Sequence, residues 1–222
     1  AAALKKPKNI IFLIGDGMGL AQITYSIISN HDYSNFERFN SIGLMKTNSN
    51  SDEITDSAAG ATAFSIGEKT YNGAIGVDKL GKSKKTILEM AKEHGMGTGM
   101  VTTCSIVHAT PAAFVAHQPS RQMYEEIAAD FLKSNLDIFI GGGLKYFKER
   151  KDKQDLTRKL EAKGYKIYLN ETSLFIDNYH GKIAALLASD HLPKMQNSRG
   201  NYHERAITKS LSILSENKKG FF

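Results

Sequence analysis

Six short runs rich in apolar and β-branched residues punctuate the chain, at Asn9–Ile14, Ile42–Thr47, Gly97–Thr103, Asp137–Gly141, Tyr165–Leu169 and Ile183–Ala188. Segments of helical period lie between them. "SKKTILEMAKEHG" places Ile87, Leu88 and Ala91 on one face between a Ser83 N-cap and a Gly95 C-cap. Met123, Ile127 and Phe131 share a face in "RQMYEEIAADFLKSN", as do Ile207, Leu211 and Leu214 in "HERAITKSLSILSEN". Strands alternating with helices require parallel pairing, because each return passes through a crossover helix. The expected fold is therefore α/β, a three-layer α/β/α sandwich with a largely parallel, doubly wound central sheet.

The first run carries the first hint of function. In "NIIFLIGDGMG", Ile10 to Ile14 form an unbroken apolar stretch, the pattern of a strand buried on both faces. It ends in Asp16, flanked by Gly15, Gly17 and Gly19. Glycines allow a sharp turn or close approach of a ligand, and open α/β sheets bind ligands beyond the carboxyl ends of their strands. Asp16 stands at such a place, and it could equally cap the next helix. A nucleotide-binding loop does not fit, since neither G-x-G-x-x-G nor G-K-[ST] is present.

Composition narrows the remaining choices. The 222 residues, 41% hydrophobic and 23% charged, suit one large domain or two small ones. No run reaches the length of a membrane span. A net charge of +6 favours anionic substrates or surfaces, with short lysine clusters near Lys5–Lys8 and Lys82–Lys85. No nucleic-acid-binding motif accompanies that charge, so a solvated basic surface is expected and no nucleic-acid partner. The single Cys104 precludes an internal disulfide framework; inside "GMVTTCSIV" it reads as a buried strand residue. "AAALKKPKN" lacks the apolar core of a signal peptide.

Two further stretches hold chemistry-bearing side chains. In "TDSAAGATA", Ser57 follows Asp56 and precedes small residues that let a helix pack closely. A hydroxyl at a helix start meets free N–H groups and the positive dipole end, where an anion is welcome. Ser and Asp are also ordinary caps, so a nucleophile and a cap both remain open. "VTTCSIVHATPAAFVAHQPSR" delivers His108, Thr110, His117 and Arg121 just after a strand. Arginine's planar fork suits two phosphate oxygens. Taken singly, Thr110 could cap before Pro111, Arg121 could be an exposed charge and His117 could simply pack.

Taken together, "GDGMG", "TDSAAGATA", "GEKTYNGAIGVD" and "HATPAAFVAH" followed by "SR" resemble the alkaline phosphatase family in content, order and spacing. The resemblance is weakest between about Tyr146 and His203. It implies Ser57 as a nucleophile that becomes phosphoserine, and Asp16 bridging a zinc and a magnesium ion. It implies Thr110 as a magnesium ligand, Arg121 as a clamp on the phosphoryl oxygens and Asp56 as the group that holds Arg121. His108, also expected near the metals, stands where some members have aspartate and others histidine. Zn(2+) and Mg(2+) are the implied cofactors, a phosphomonoester and inorganic phosphate the implied ligands, and a homodimer in the periplasm or outside the cell the implied setting. A phosphotransferase or phosphodiesterase sharing the metal scaffold, and a non-catalytic anion-binding fragment, are the alternatives.

The metal set is incomplete within these residues. The seven histidines show neither H-x-H nor H-E-x-x-H spacing. One zinc ion would find only Asp16 and Ser57, and the second would find no ligand. "NKKGFF" also runs past a helix into two aromatics that read as the first residues of another strand. Residues 1–222 are thus expected to be the N-terminal portion of a single larger domain, inactive by itself.

Overall fold

Four parallel strands form the centre of the molecule: β1 (Gly99–Ser105), β2 (Ile138–Gly142), β3 (Lys166–Tyr168) and β4 (Ile183–Leu186), in the order β1-β2-β4-β3. The computed structural model describes residues 6–31, 34–197 and 199–222. The helices are α1 (Leu20–Ser29), α2 (Ser57–Ile66), α3 (Ile87–Glu93), α4 (Ala109–Ala112), α5 (Tyr124–Ser134), α6 (Leu144–Lys148), α7 (Leu156–Ala162), α8 (Glu171–Ile176) and α9 (Tyr202–Leu214). The register pairs Ile138 with Gly99 and Ile183, and Ile167 with Ala184.

The two-residue period of the strands sorts their side chains into two cores. Phe139, Ala184 and Leu186 face one layer, packed with Ile127 and Phe131 of α5, Phe147 of α6 and Leu156 and Leu160 of α7. Ile138, Ile140, Ile183 and Ala185 face the other, where Leu174 of α8 and Tyr202, Ala206, Ile213 and Leu214 of α9 cover them. Helices on both faces of a parallel sheet make the three-layer α/β/α sandwich that the alternation implied.

Four of the six expected strands form. Ile10–Ile14 is assigned no strand: Ile11 is 57% and Leu13 67% exposed, whereas the sequence pattern implied burial on both faces. One face does pack, since Phe12 lies 5.5 Å from Phe64 and 6.0 Å from Phe114, and Ile14 rests on the first core. The segment's backbone bond is from Ile10 N–H to the Phe221 carbonyl, 2.9 Å. An apolar run needs a partner on each side to become a buried strand, and here it has one. Ile42–Thr47 likewise forms no strand, with Ile42 and Leu44 each 93% exposed. Phe221 and Phe222 do behave as strand residues. Phe222 N–H donates to the Gly97 carbonyl and its carbonyl accepts from Gly99 N–H, at 2.8 and 2.9 Å. They make a single parallel bridge, Phe221 with Gly97, beside the start of β1.

Helix ends deviate in one instructive case. The N-cap of α3 is Thr86, not Ser83: Thr86 Oγ1 accepts from Glu89 N–H while Glu89 Oε2 accepts from Thr86 N–H, a reciprocal capping box. In α9 the buried stripe is Tyr202, Ala206, Ser210, Ile213 and Leu214, so Ile207 and Leu211 flank it, half-buried. The described residues of 190–201 are irregular apart from one short turn, Met195–Asn197, and Tyr202 and His203 already belong to α9.

Candidate active site

Asp56 is where the site begins. It caps α2, with Oδ1 accepting from Ala59 N–H at 2.9 Å. Its Oδ2 accepts from Gly73 N–H and from Arg121 Nη1, both at 3.1 Å. Burial opposes the charge of Asp56, but the two N–H donors and the guanidinium outweigh it and hold the carboxyl below its ordinary value. The "TYNGAIG" loop is built into this arrangement, because Arg121 N–H donates to the Gly73 carbonyl at 2.7 Å. One loop thus ties the helix cap to the arginine, although the two lie 65 positions apart.

Ser57 follows as the first residue of α2. The helix's first main-chain bond runs from Gly60 N–H to the Asp56 carbonyl, 3.0 Å, so the N–H groups of Ser57 and Ala58 precede it. Ser57 Oγ donates to Asp16 Oδ1 at 2.9 Å. The other oxygen of Asp16, Oδ2, accepts from Thr110 Oγ1 at 2.7 Å. One carboxylate therefore gathers two hydroxyls from segments 41 and 94 positions distant. Small residues make this possible: Ala58, Ala59 and Ala61 are buried, and α2 packs against α3 and α4.

The last element is His108, the residue before α4. Its Nε2 lies 3.2 Å from Arg121 Nη2. A guanidinium only donates, so Nε2 accepts and the ring proton sits on Nδ1. Burial, then the nearby Arg121 and His191, push the His108 pKa down against the pull of Asp16 and Asp190. The imidazole is thereby kept neutral. His108 thus faces the arginine, while the Asp16 oxygens are taken up by the two hydroxyls.

The six sequence candidates, Asp16, Asp56, Ser57, His108, Thr110 and Arg121, form two hydrogen-bonded sets beyond β1 and at the start of α2, joined where Asp56 precedes Ser57 and His108 stands two residues before Thr110. They are an oxygen cradle of Asp16, Ser57 and Thr110, and an arginine held by Asp56 and His108. The cradle fits a hard divalent cation, which takes carboxylate and hydroxyl oxygens. It supplies only part of a zinc shell, which usually contains imidazole or thiolate. Among the described residues, no group of three or more His, Cys, Asp or Glu side chains could hold a metal ion. Cys104, half-buried in β1, has its pKa pushed up by burial and is no activated thiolate. His117 lies apart, between Glu89 and the Gly76 carbonyl. Sequence reading overlooked His191, whose Nδ1 accepts from Ser105 N–H at 3.1 Å and whose ring meets His108 edge-to-face at 5.5 Å.

The chain is similar to known proteins along nearly its whole length. The family model for alkaline phosphatase matches residues 7–222. Alkaline phosphatase 4 of Bacillus subtilis is 39% identical over 244 residues, covering 100% of this chain and 52% of the relative. Alkaline phosphatase of Escherichia coli is 33% identical, covering 98% and 59%. The chain spans about half the length of these curated relatives. Among solved structures, alkaline phosphatase from the Antarctic bacterium TAB5 superposes with a TM-score of 0.92 at 43% identity, covering 99% of this chain and 64% of that one. Two mutants of that enzyme, with a histidine replaced by aspartate or glutamate, have Mg bound in the M3 site.

Proposed function

The chain belongs to the alkaline phosphatase family, and on that premise we propose that it is the N-terminal portion of a metal-dependent phosphomonoesterase working through a phosphoserine on Ser57. The observation that carries the proposal is that Asp16 gathers the hydroxyls of Ser57 and Thr110 while Asp56, the neighbour of Ser57, holds Arg121. A phosphate monoester brings a compact negative charge, and the cluster offers it a nucleophile, a helix start and a cationic fork together.

Arg121 binds two non-bridging phosphoryl oxygens. Its Nη1 and Nη2 each spend one hydrogen on Asp56 and His108, leaving three of its five N–H donors for the substrate. With two oxygens on Arg121, a monoester keeps a third non-bridging oxygen for the start of α2, which a diester lacks. Ser57 Oγ attacks phosphorus from the start of α2, where the N–H groups ahead of the first helical bond meet the incoming charge; the P–O bond to the ester oxygen breaks, and the substrate's alcohol leaves with the proton that the serine hydroxyl gives up. Asp16 Oδ1, which accepts the Ser57 hydroxyl proton in a hydrogen bond, orients the oxygen lone pairs toward the cleft. Water then attacks phosphorus from the side opposite Ser57, the Oγ–P bond breaks, a water proton returns to Oγ and inorganic phosphate leaves, so the phosphorus configuration is retained over two displacements.

Magnesium would be held by Asp16 and Thr110, and zinc by Asp16 and Ser57, with the rest of each shell coming from a C-terminal part of the same domain. Bound there, the cations supply the positive charge that makes the serine hydroxyl acidic and neutralises the phosphoryl group. Export to the periplasm or beyond the cell and a homodimeric state complete the proposal; no described helix is long and apolar enough to cross a membrane. Hydrolysis of p-nitrophenyl phosphate tests it. The complete enzyme should lose activity on exhaustive chelation and regain it with zinc and magnesium, and residues 1–222 alone should hydrolyse nothing. Turnover that survives chelation would overturn the metal dependence.

A further inference from the structure

The excursion after β4 bears His191, to which the family resemblance assigned no role. That excursion is firmly anchored. The Ala188 carbonyl accepts from Gly143 and Leu144 N–H, each 3.0 Å, and the Ser189 carbonyl from Lys145 N–H at 3.1 Å. Asp190 Oδ2 pairs with Lys145 Nζ at 2.7 Å. The Asp190 carbonyl comes so close to Gly142 that a Cβ there would stand 1.9 Å from it, so only glycine fits. The end of β2 and the start of α6 therefore hold the main chain just before His191.

From that support the imidazole reaches back to β1. The β1–β2 register breaks between Val101 and Ser105, and Ser105 N–H donates to His191 Nδ1 at 3.1 Å. A main-chain N–H only donates, so His191 carries its proton on Nε2, as the tautomer complementary to His108. The two rings meet edge-to-face at 5.5 Å and 74°. His108 Nε2 then accepts from Arg121 Nη2.

We propose that His191 is a positioning residue for phosphate binding: anchored on Ser105, it braces His108, which fixes the second amino group of Arg121 opposite Asp56. The guanidinium is then held at both ends before any phosphate arrives. Binding need not immobilise a long, rotamer-rich side chain. The inference rests on the reading of Arg121 as the phosphoryl clamp.

Two variants of the complete enzyme separate positioning from packing. His191→Asn keeps an acceptor oxygen for Ser105 N–H and removes the ring; His191→Phe keeps a ring and removes the acceptor. Isothermal titration with inorganic phosphate, alongside kcat, KM and Tm, gives the readout. Phosphate affinity should fall about three- to tenfold in both, the scale of one freed side chain. KM should rise, and the Tm of His191→Asn should stay within a degree or so of the parent. A purely structural role would lower kcat with the active fraction and leave phosphate affinity unchanged. Affinity within twofold of the parent in both variants, while Arg121→Ala binds phosphate poorly, would overturn the inference. Unchanged affinity in Arg121→Ala would overturn the clamp itself, and the inference with it.

Discussion

Replacing Asp56 by Asn changes one oxygen to an NH2 with almost no change in shape, which makes the cost calculable from the contacts. The carboxylate serves three donors: Ala59 N–H on Oδ1, and Gly73 N–H and Arg121 Nη1 on Oδ2. An amide offers one accepting oxygen, so one set of donors must face another donor. The cheaper orientation keeps the oxygen on Gly73 and Arg121 and gives up the cap on Ala59, at about 1 kcal/mol. The Arg121 bond also loses its charge assistance, and a neutral bond is roughly half as strong, which adds about another 1 kcal/mol. For a chain of this size a total near 2 kcal/mol lowers Tm by about 4–8 °C. Asp56 and Arg121 are only about a quarter exposed, so screening removes little of this. Thermal melting of parent and variant at pH 7 measures it. A Tm within 1 °C of the parent would refute the reasoning, because it would mean that the three donors find other partners without cost.

Arg121→Ala should weaken inhibition by inorganic phosphate and slow turnover of the complete enzyme roughly ten- to a thousandfold, the range for losing one transition-state donor; phosphate inhibition at the parental level would contradict the role. His108→Asp should retain more magnesium after dialysis, because an added carboxylate beside the oxygen cradle suits a hard, hydrated cation better than imidazole does. Metal content no higher than in the parent would remove His108 from that site. The Glu89–His117 pair predicts a pH dependence of stability away from the cleft. The hydrogen bond to Glu89 raises the His117 pKa above its ordinary 6.5, so that stabilisation is full below 6.5 and is lost as pH rises through the raised value. Burial opposes the Glu89 charge, but the His117 and Thr86 bonds win and lower its pKa from 4.5, so its share is present above 4.5 and is lost as pH falls. The stability difference between parent and His117→Phe, from urea melts, should therefore peak between about pH 4.5 and 6.5, and a difference independent of pH would refute the pairing.

The centre of the sheet was legible because β2 and β4 are buried along their whole length and carry short unbroken apolar runs, whereas β1, half-buried and interrupted by Thr102 and Thr103, was marked by its β-branched residues. Ile10–Ile14 carries the same signal, yet leaves Leu13 and Ile11 in solvent. Periodicity reports what a segment is suited to bury and says nothing of whether a neighbour is at hand. The exposed Ile42 and Leu44 teach the same lesson. The α3 cap was misplaced for a local reason: Ser83 and Thr86 are both plausible caps, and only the Thr86–Glu89 spacing marks the capping box. In the cleft, the hydroxyls, the carboxylate and the arginine were recognisable from short motifs around glycines and small residues. The orientation of His108 toward Arg121 was not, since an imidazole beside a metal-site motif can face either neighbour. His191 was invisible for a deeper reason. Its partner, Ser105 N–H, lies 86 positions away and is freed only by a register break that no local pattern announces.

The account turns on Ser57 becoming covalently phosphorylated. The direct measurement is acid quenching of the complete enzyme with radiolabelled inorganic phosphate at low pH, followed by peptide mapping. Label should appear on the peptide containing "TDSAAGATA", at Ser57, and should vanish in Ser57→Ala together with a fall in turnover of about a thousandfold or more. Label on any other residue, or on the chain of the Ser57→Ala variant, would contradict the account.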